Sequence, residues 1–234
     1  QRRLLPALAR RALHVVTVSE FSRGELRGLL GLPSDRLTVI AGGVDPAFTP
    51  DADADRARSA LGLTRPYVLC VASQTARKNL GALVPAARQL NADGVEVVVA
   101  GGHRPQFARE QGLEALHHLG AVPDALLPGL YAGAEAFALP SLYEGFGLPL
   151  LEAMACGTPV VAADATALPE TAGGAARLAA PDAVSDAVCD VVRSPAERER
   201  LRGAGLARAA GFTWERTARE VDALLSARAA APPA

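Results

Sequence analysis

Six short apolar runs punctuate this chain, and none of them alternates: HVVTVS (14–19), LTVIAGG (37–43), YVLCVAS (67–73), VEVVVAGG (95–102), EAFALPS (135–141) and TPVVAAD (158–164). A strand with one wet face alternates polar with apolar residues. A short run that stays valine-rich belongs to a strand covered on both faces. Helices must supply the cover, and amphipathic stretches lie between the later runs. NLGALVPAARQL (79–90) sets Leu80, Leu83, Val84, Ala87 and Leu90 on one stripe. PDALLPGLYAGA (123–134) and LPLLEAMACG (148–157) follow the same pattern. The last third reads as helices over 181–193, 194–211 and 213–230. Ser194 and Pro195 open the second of these, Gly211 closes it, and Thr213 caps the third. Strand–helix–strand alternation predicts an α/β fold with a Rossmann-like, doubly wound parallel sheet.

Such sheets bind ligands at the carboxyl ends of their strands, so the loops that follow the runs are where chemistry belongs. The richest is in PSLYEGFGLPLLEAMACGTPVVAAD (140–164). Gly145 and Gly147 allow a tight turn, and Pro149 suits the first position of the next helix. The free N–H groups of Phe146, Gly147 and Leu148 then face out of the helix start, which is an anion site. Two carboxylates, Glu144 and Glu152, flank the turn. Read plainly, Glu152 complements the helix dipole and Glu144 is a solvated loop charge. Read functionally, both accept hydrogen bonds from vicinal sugar hydroxyls on either side of a pyrophosphate.

The charge of a pyrophosphate needs cations. Lys78 is the only lysine among 24 Lys and Arg residues, and it follows Arg77 in TARKNL (75–80). A lysine is a compact point charge on a flexible stem, suited to phosphate oxygens, whereas arginine suits planar bidentate partners. The pair lies just past the run at 67–73. No GxxxxGK[ST] string and no GxGxxG after a strand is present, which sets aside a Walker loop and a nicotinamide dehydrogenase.

Composition removes other classes. A net charge of -1 gives no general attraction to nucleic acid or anionic membrane. Cys70, Cys156 and Cys189 are far apart and odd in number, which suits reduced thiols in a cytosolic protein, with Cys70 and Cys156 read as core filler. No CxxC or HExxH occurs, and the adjacent pair His117–His118 makes a poor metal face, so no metal is expected. No apolar run is long enough to span a bilayer. The chain starts QRRLLPALARRALHVV without Met, which suggests a fragment lacking its upstream part, and the tail ARAAAPPA reads as disordered.

The stretch EGFGLPLLEAMACGTPVV resembles the signature of the retaining glycosyltransferases of family 4, whose motif is Glu, seven residues, Glu, matched by Glu144 and Glu152. LYAGAEAFALPSLYEGFGLP, LPETAGGAA and YVLCVAS…RKN fit that family in order and spacing, and VVTVSEFSRGEL and VIAGGVD resemble the end of its N-terminal domain. The likeness covers about residues 13–215 and is strongest to mannosyl- and rhamnosyl-type members. It implies the C-terminal half of a GT-B fold. Residues 1–45 would be a remnant of the acceptor-binding N-terminal domain and 46–66 an interdomain linker. Residues 67–212 would bind the donor, and 213–230 would form a helix crossing back toward the N-terminal domain, with Trp214 a packing anchor.

The resemblance also implies roles. Glu144 would meet the transferred sugar and Glu152 the ribose hydroxyls. The N–H groups of Phe146, Gly147 and Leu148, in the turn with Gly145, would bind the distal phosphate. Arg77 and Lys78 would neutralise the pyrophosphate, Val122 would meet the nucleobase through its backbone, and Ser73 would join the substrate-binding set. The implied reaction is transfer of a hexose from a nucleotide diphosphate sugar to a hydroxyl of a saccharide or lipid-linked acceptor, with retention and with no metal or enzyme nucleophile. This fits polysaccharide biosynthesis by a cytoplasmic enzyme able to sit peripherally at the inner face of the membrane. Without the N-terminal domain the fragment would be inactive alone. Departures from the family pattern are Ala72 for a glycine, Ser73-Gln74 where an arginine is common, and Gly42 for asparagine. Two rival readings are a GT-B-fold nucleotide-sugar epimerase and a non-catalytic donor-binding module.

Overall fold

The computed structural model describes residues 4–102 and 112–230. The first two apolar runs form short strands, β1 (Val15–Thr17) and β2 (Leu37–Val39), which pair in parallel as a separate two-stranded sheet. Helices α1 (Leu4–Arg11) and α2 (Glu20–Leu30) precede and join them. The other four runs become β3 (Tyr67–Val71), β4 (Glu96–Ala100), β6 (Ala136–Leu139) and β7 (Val160–Ala163), with β5 (His117–Gly120) and β8 (Arg177–Ala179) at the edges. The order is β5-β4-β3-β6-β7-β8 and every pairing is parallel. Val68, Leu69, Phe137, Ala138 and Val161 have no accessible surface, which is the burial on both faces that a non-alternating run demands.

Helices cover the sheet. The run at 79–90 divides into a 3-10 segment, Leu80–Leu83, and α4 (Val84–Ala92). The stretch 46–66 holds α3 (Ala54–Leu61), capped by Asp53 accepting from Arg56 N–H at 2.9 Å. This helix packs on α5 (Leu127–Ala132), which is shorter than the 123–134 pattern because its first turn, Asp124–Leu126, is 3-10. Next come α6 (Leu148–Ala155), α7 (Leu168–Ala172), α8 (Val184–Arg193), α9 (Pro195–Ala209) and α10 (Trp214–Ala229). Ser185 fastens α8 beside α4, donating to Ala82 O at 2.6 Å and accepting from Ala86 N–H at 3.0 Å. The crossover from β3 to β4 through α4 and the one from β5 to β6 through α5 run in opposite directions along the sheet, and the right-handed rule for such connections assigns these two helices to opposite faces. All three cysteines are buried free thiols, and burial pushes the Cys70 thiol up to about 12.

Helix α10 returns to the first part of the chain. Val44 N–H donates to Phe212 O at 3.0 Å, Thr217 Oγ1 to Ala41 O at 2.7 Å and Arg228 Nη2 to Asp35 O at 3.0 Å. The seam is tight at Gly43, where a Cβ would lie 2.2 Å from Trp214 N. Only glycine allows that backbone approach.

Several local expectations change. Ser194 and Thr213 do cap their helices, accepting from Glu197 N–H at 3.3 Å and Arg216 N–H at 3.2 Å. Gly211, however, does not close α9, which ends at Ala209 with Ala210 still right-handed. Helix α6 starts at Leu148, so Pro149 sits second rather than first. Trp214 is half exposed, and its ring edge lies beside Gly42 of the N-terminal segment. The expected disordered tail falls partly within α10, and residues 231–234 lie outside the described residues. Among the described residues no helix is long and apolar enough to cross a membrane, and no cluster of three or more metal-ligating side chains occurs.

Candidate functional site

The chain runs from β3 outward to β4 and β5, then jumps back to lay β6 on the other side of β3. At that reversal the loops leaving β3 and β6 stand side by side at the carboxyl end of the sheet, the place where sheets of this type bind their ligands. The loop from β3 carries Ser73, Arg77 and Lys78, and the loop from β6 carries Glu144, Gly145, Phe146 and Gly147. The two loops are stitched together: Leu142 N–H donates to Arg77 O at 2.8 Å and Asn79 Nδ2 to Pro140 O at 3.2 Å.

Their charged side chains meet. Lys78 Nζ lies 2.5 Å from Glu144 Oε1, and Arg77 Nη1 lies 3.3 Å from Glu144 Oε2 and 3.2 Å from Tyr143 O. The Lys78 and Glu144 side chains are only 10% and 12% exposed, while Arg77 is 52% exposed. Glu144 is therefore no solvated loop charge, and the only lysine is buried at the switch point. Taking two ions out of water is costly unless they are paired; removing one partner from such a pair typically costs about 3–5 kcal/mol. Thr75 Oγ1 and Ser141 Oγ, one in each loop, are buried with no hydrogen-bond partner among the described residues. Orphan hydroxyls of this sort are rare in a folded core.

The turn between β6 and α6 has a directional backbone. Glu144 O accepts from Ala167 N–H at 3.4 Å, Gly145 O from Ser19 Oγ at 2.6 Å and Ser22 Oγ at 2.9 Å, and Phe146 O from Thr171 Oγ1 at 2.6 Å. Gly147 O accepts from Leu150 N–H at 3.0 Å. Among the described residues there are no cis peptides, and in a trans peptide the N–H points opposite to the C=O. With the carbonyls of 144–147 turned into the protein, the N–H groups of Gly145, Phe146, Gly147 and Leu148 point away from it. None of these four has a protein acceptor among the described residues. Gly147 makes the turn with φ 99° as N-cap of α6. Successive outward N–H groups at a helix start form a nest for an anion. Glu144 N–H, by contrast, is tied to Thr166 Oγ1 at 3.0 Å.

Glu152 sits one turn further along α6. Its Oε2 accepts from the hydroxyl of Tyr131 on α5 at 2.8 Å, so it is fixed by a neighbouring helix and is more than a complement to the α6 dipole. Burial raises its pKa above the usual carboxylate range, and the tyrosine hydrogen bond opposes this in part. Tyr131 is fully buried, packed against Phe137 and edge-on to Phe48.

Beside the ion cluster a hollow of about 410 Å³ opens between the ends of β3 and β4, lined by Ala72, Ser73, Arg77, Lys78, Gly101 and Gly102. Gly101 N–H donates to Gly120 O at 2.7 Å, which ties the loop after β4 to the end of β5. Val122 follows immediately, two strands away from β3. Thus Lys78, Arg77 and Glu144 come together, with the N–H nest on the same loop as Glu144. Glu152 stands one turn behind the nest, and Val122 lies off to one side. A second hollow of about 390 Å³, where Arg198 and Glu135 stand 3.6 Å apart, lies before β6 begins and shares no residue with this cluster. Ser19, Ser22, Thr166, Thr171 and Tyr131 were not singled out in the sequence.

A six-stranded doubly wound parallel sheet, with outward N–H groups and a cationic pair on the loops at its switch point, defines a Rossmann-like domain. The comparison with known proteins narrows this. The chain belongs to the glycosyl transferases of group 1, the family that matches residues 65–194, and residues 1–48 match the description glycosyltransferase family 4. It is 35% identical over 217 residues to an O-antigen chain mannosyltransferase B of Escherichia coli, covering 86% of this chain and 57% of that protein. It is 32% identical over 232 residues to an MMP alpha-(1->4)-mannosyltransferase of Mycolicibacterium hassiacum, covering 93% of this chain and 54% of that one. The structure of a sucrose-phosphate synthase from Thermosynechococcus elongatus superposes with a TM-score of 0.82 at 26% identity, covering 97% of this chain and 61% of that one. The chain spans little more than half the length of these relatives, and its fold is the C-terminal half of a GT-B arrangement with a remnant of the N-terminal domain.

Proposed function

We propose that this chain is the donor-binding half of a retaining glycosyltransferase, which transfers a hexose from a nucleotide diphosphate sugar to a hydroxyl of a saccharide or lipid-linked acceptor. The observation that carries the proposal is the meeting of Lys78 and Arg77 with Glu144 on the loop of outward N–H groups. In this reading the distal phosphate rests on the N–H groups of Phe146, Gly147 and Leu148, and Lys78 and Arg77 meet the charge that grows on the leaving diphosphate. No metal and no protein nucleophile takes part. Attack and departure share one face of the sugar, and the diphosphate helps take the acceptor proton. Glu144 accepts from the hexose hydroxyls and Glu152 from the ribose. Strands stand about 4.8 Å apart, so the end of β5 is roughly 10 Å from β3, a span that suits a ribose between the diphosphate and a base resting on the Val122 backbone. Ser73 lines the intervening hollow.

Residues 1–45 then belong to the acceptor-binding domain, 46–66 link it to the donor domain at 67–212, and α10 within 213–230 spans the two. Two mannosyltransferases among the relatives, of which the matches span 57% and 54%, support a mannosyl-type donor. Because acceptor contacts fall mainly in the other half, the chain alone binds donor without turning it over. Lys78→Ala is expected to weaken nucleoside diphosphate binding about ten- to a hundred-fold, the loss of a charge-assisted contact, and Glu152→Ala less. Calorimetry showing equal affinity for wild type and Lys78→Ala would overturn the phosphate role.

A further inference from the structure

The carbonyl of Gly145 is held from a distant part of the chain. Ser19 Oγ and Ser22 Oγ both donate to it, at 2.6 Å and 2.9 Å, from the first turn of α2. Ser19 is 1% exposed and also caps α2, accepting from Ser22 N–H at 3.0 Å. The same helix start is fixed a second time: the Glu170 carboxylate, at the first turn of α7, accepts from Glu20 N–H at 2.7 Å and Phe21 N–H at 3.0 Å. The Phe21 ring stacks edge-on to Tyr143, 5.6 Å between centroids. The start of α2 therefore packs directly on the loop that carries Glu144 and the nest.

A peptide unit is rigid, so whatever pins a carbonyl oxygen also aims the N–H on its other side. The Gly145 carbonyl and the Phe146 N–H belong to one peptide. We infer that Ser19 and Ser22 are positioning residues for the donor diphosphate: by holding the Gly145 carbonyl they aim the Phe146 N–H at the distal phosphate. This inference rests on the donor-site reading above. It goes further by making the phosphate nest depend on the N-terminal segment, so that a donor domain cut away from α2 would hold its nest less well. A glycine at 145 is the position most in need of such pinning, because its own backbone is the least restricted.

Ser22 is the cleaner residue to change. It sits within α2 rather than at its cap, and alanine keeps the N–H that Ser19 accepts. The test is an NMR titration of the whole chain with UDP and uridine, GDP and guanosine, and ADP and adenosine. Each pair gives a ratio of nucleoside to diphosphate dissociation constants. For the pair that wild type binds best, Ser22→Ala is expected to lower that ratio about five-fold, the factor one hydrogen bond carries, with nucleoside affinity unchanged. Ser22→Thr, which keeps the hydroxyl, should restore it. An unchanged ratio in Ser22→Ala overturns the inference while leaving the donor-site reading intact. A parallel loss of nucleoside and diphosphate affinity also overturns it, since that is the mark of a merely structural residue. A wild type that binds nucleosides as tightly as their diphosphates sinks the donor-site reading and this inference together.

Discussion

Tyr131 and Glu152 show how one hydrogen bond sets the state of a residue. A hydrogen bond to a charged group contributes about 1.5–3 kcal/mol, and here the donor residue is fully buried. Tyr131→Phe is expected to lower unfolding free energy by about that amount, read from urea midpoints, and to raise the Glu152 pKa further. Because the folded pKa of Glu152 already lies above its unfolded value, the native state holds more proton than the unfolded one between about pH 4.3 and that raised value. In that window this group makes stability fall as pH rises. Glu152→Gln should flatten the slope there, and an unaltered slope would place the titration elsewhere. Not all of this was legible beforehand. Lys78 announces itself as the single lysine, and Glu144 and Glu152 as acids flanking a glycine turn. Their mutual distances do not: the sequence reading assigned Lys78 to phosphate and Glu144 to sugar, without showing that the two touch. Ser19 and Gly145 are 126 residues apart, and a serine that holds a distant carbonyl looks like any other serine in a chain.

At the scale of elements, what could be read was what is buried on both sides. The four central strands were visible because burial on both faces forces an unbroken apolar run. The edge strands β5 and β8 were not: HHLG exposes His117 and His118, and RLA exposes Arg177. An edge strand is covered less and patterned less, so pairing with β4 and β7 decides its structure rather than its own residues. The turn into α6 was readable for the opposite reason, since its geometry leaves few residue choices. Gly147 has φ 99°, and a Cβ there would stand 2.8 Å from Leu168 Cδ2. Left-handed backbone costs a side-chain-bearing residue about 1–2 kcal/mol before any clash. Gly147→Ala should therefore destabilise the fold by at least that much in chemical denaturation. It should also lower diphosphate affinity, because the N–H groups of Gly147 and Leu148 turn with it. Full stability in Gly147→Ala would mean that the loop relaxes freely and that the nest is not rigid.

The chain joins a small two-stranded N-terminal piece to a six-stranded sheet through contacts made by α10 and by α2. The site lies where these parts meet, so ligand binding should be felt by the fold as a unit. A ligand that binds only the native state stabilises it by RT ln(1 + [L]/Kd), about 2.7 kcal/mol at a hundred times Kd. For a chain of this size each kcal/mol raises the melting temperature by about 2–4 °C, so a saturating diphosphate should raise it by roughly 5–10 °C. A thermal-shift panel of UDP, GDP, ADP and their sugars turns this into a choice of base, because in the proposed reading the nucleobase would contribute through the end of β5 and the diphosphate through the switch point. The matched nucleotide should give the largest shift and its sugar a further one, while Lys78→Ala should remove most of both. A panel without any shift would mean that the buried cations and the outward N–H groups hold Glu144 and each other in place and bind no diphosphate at all.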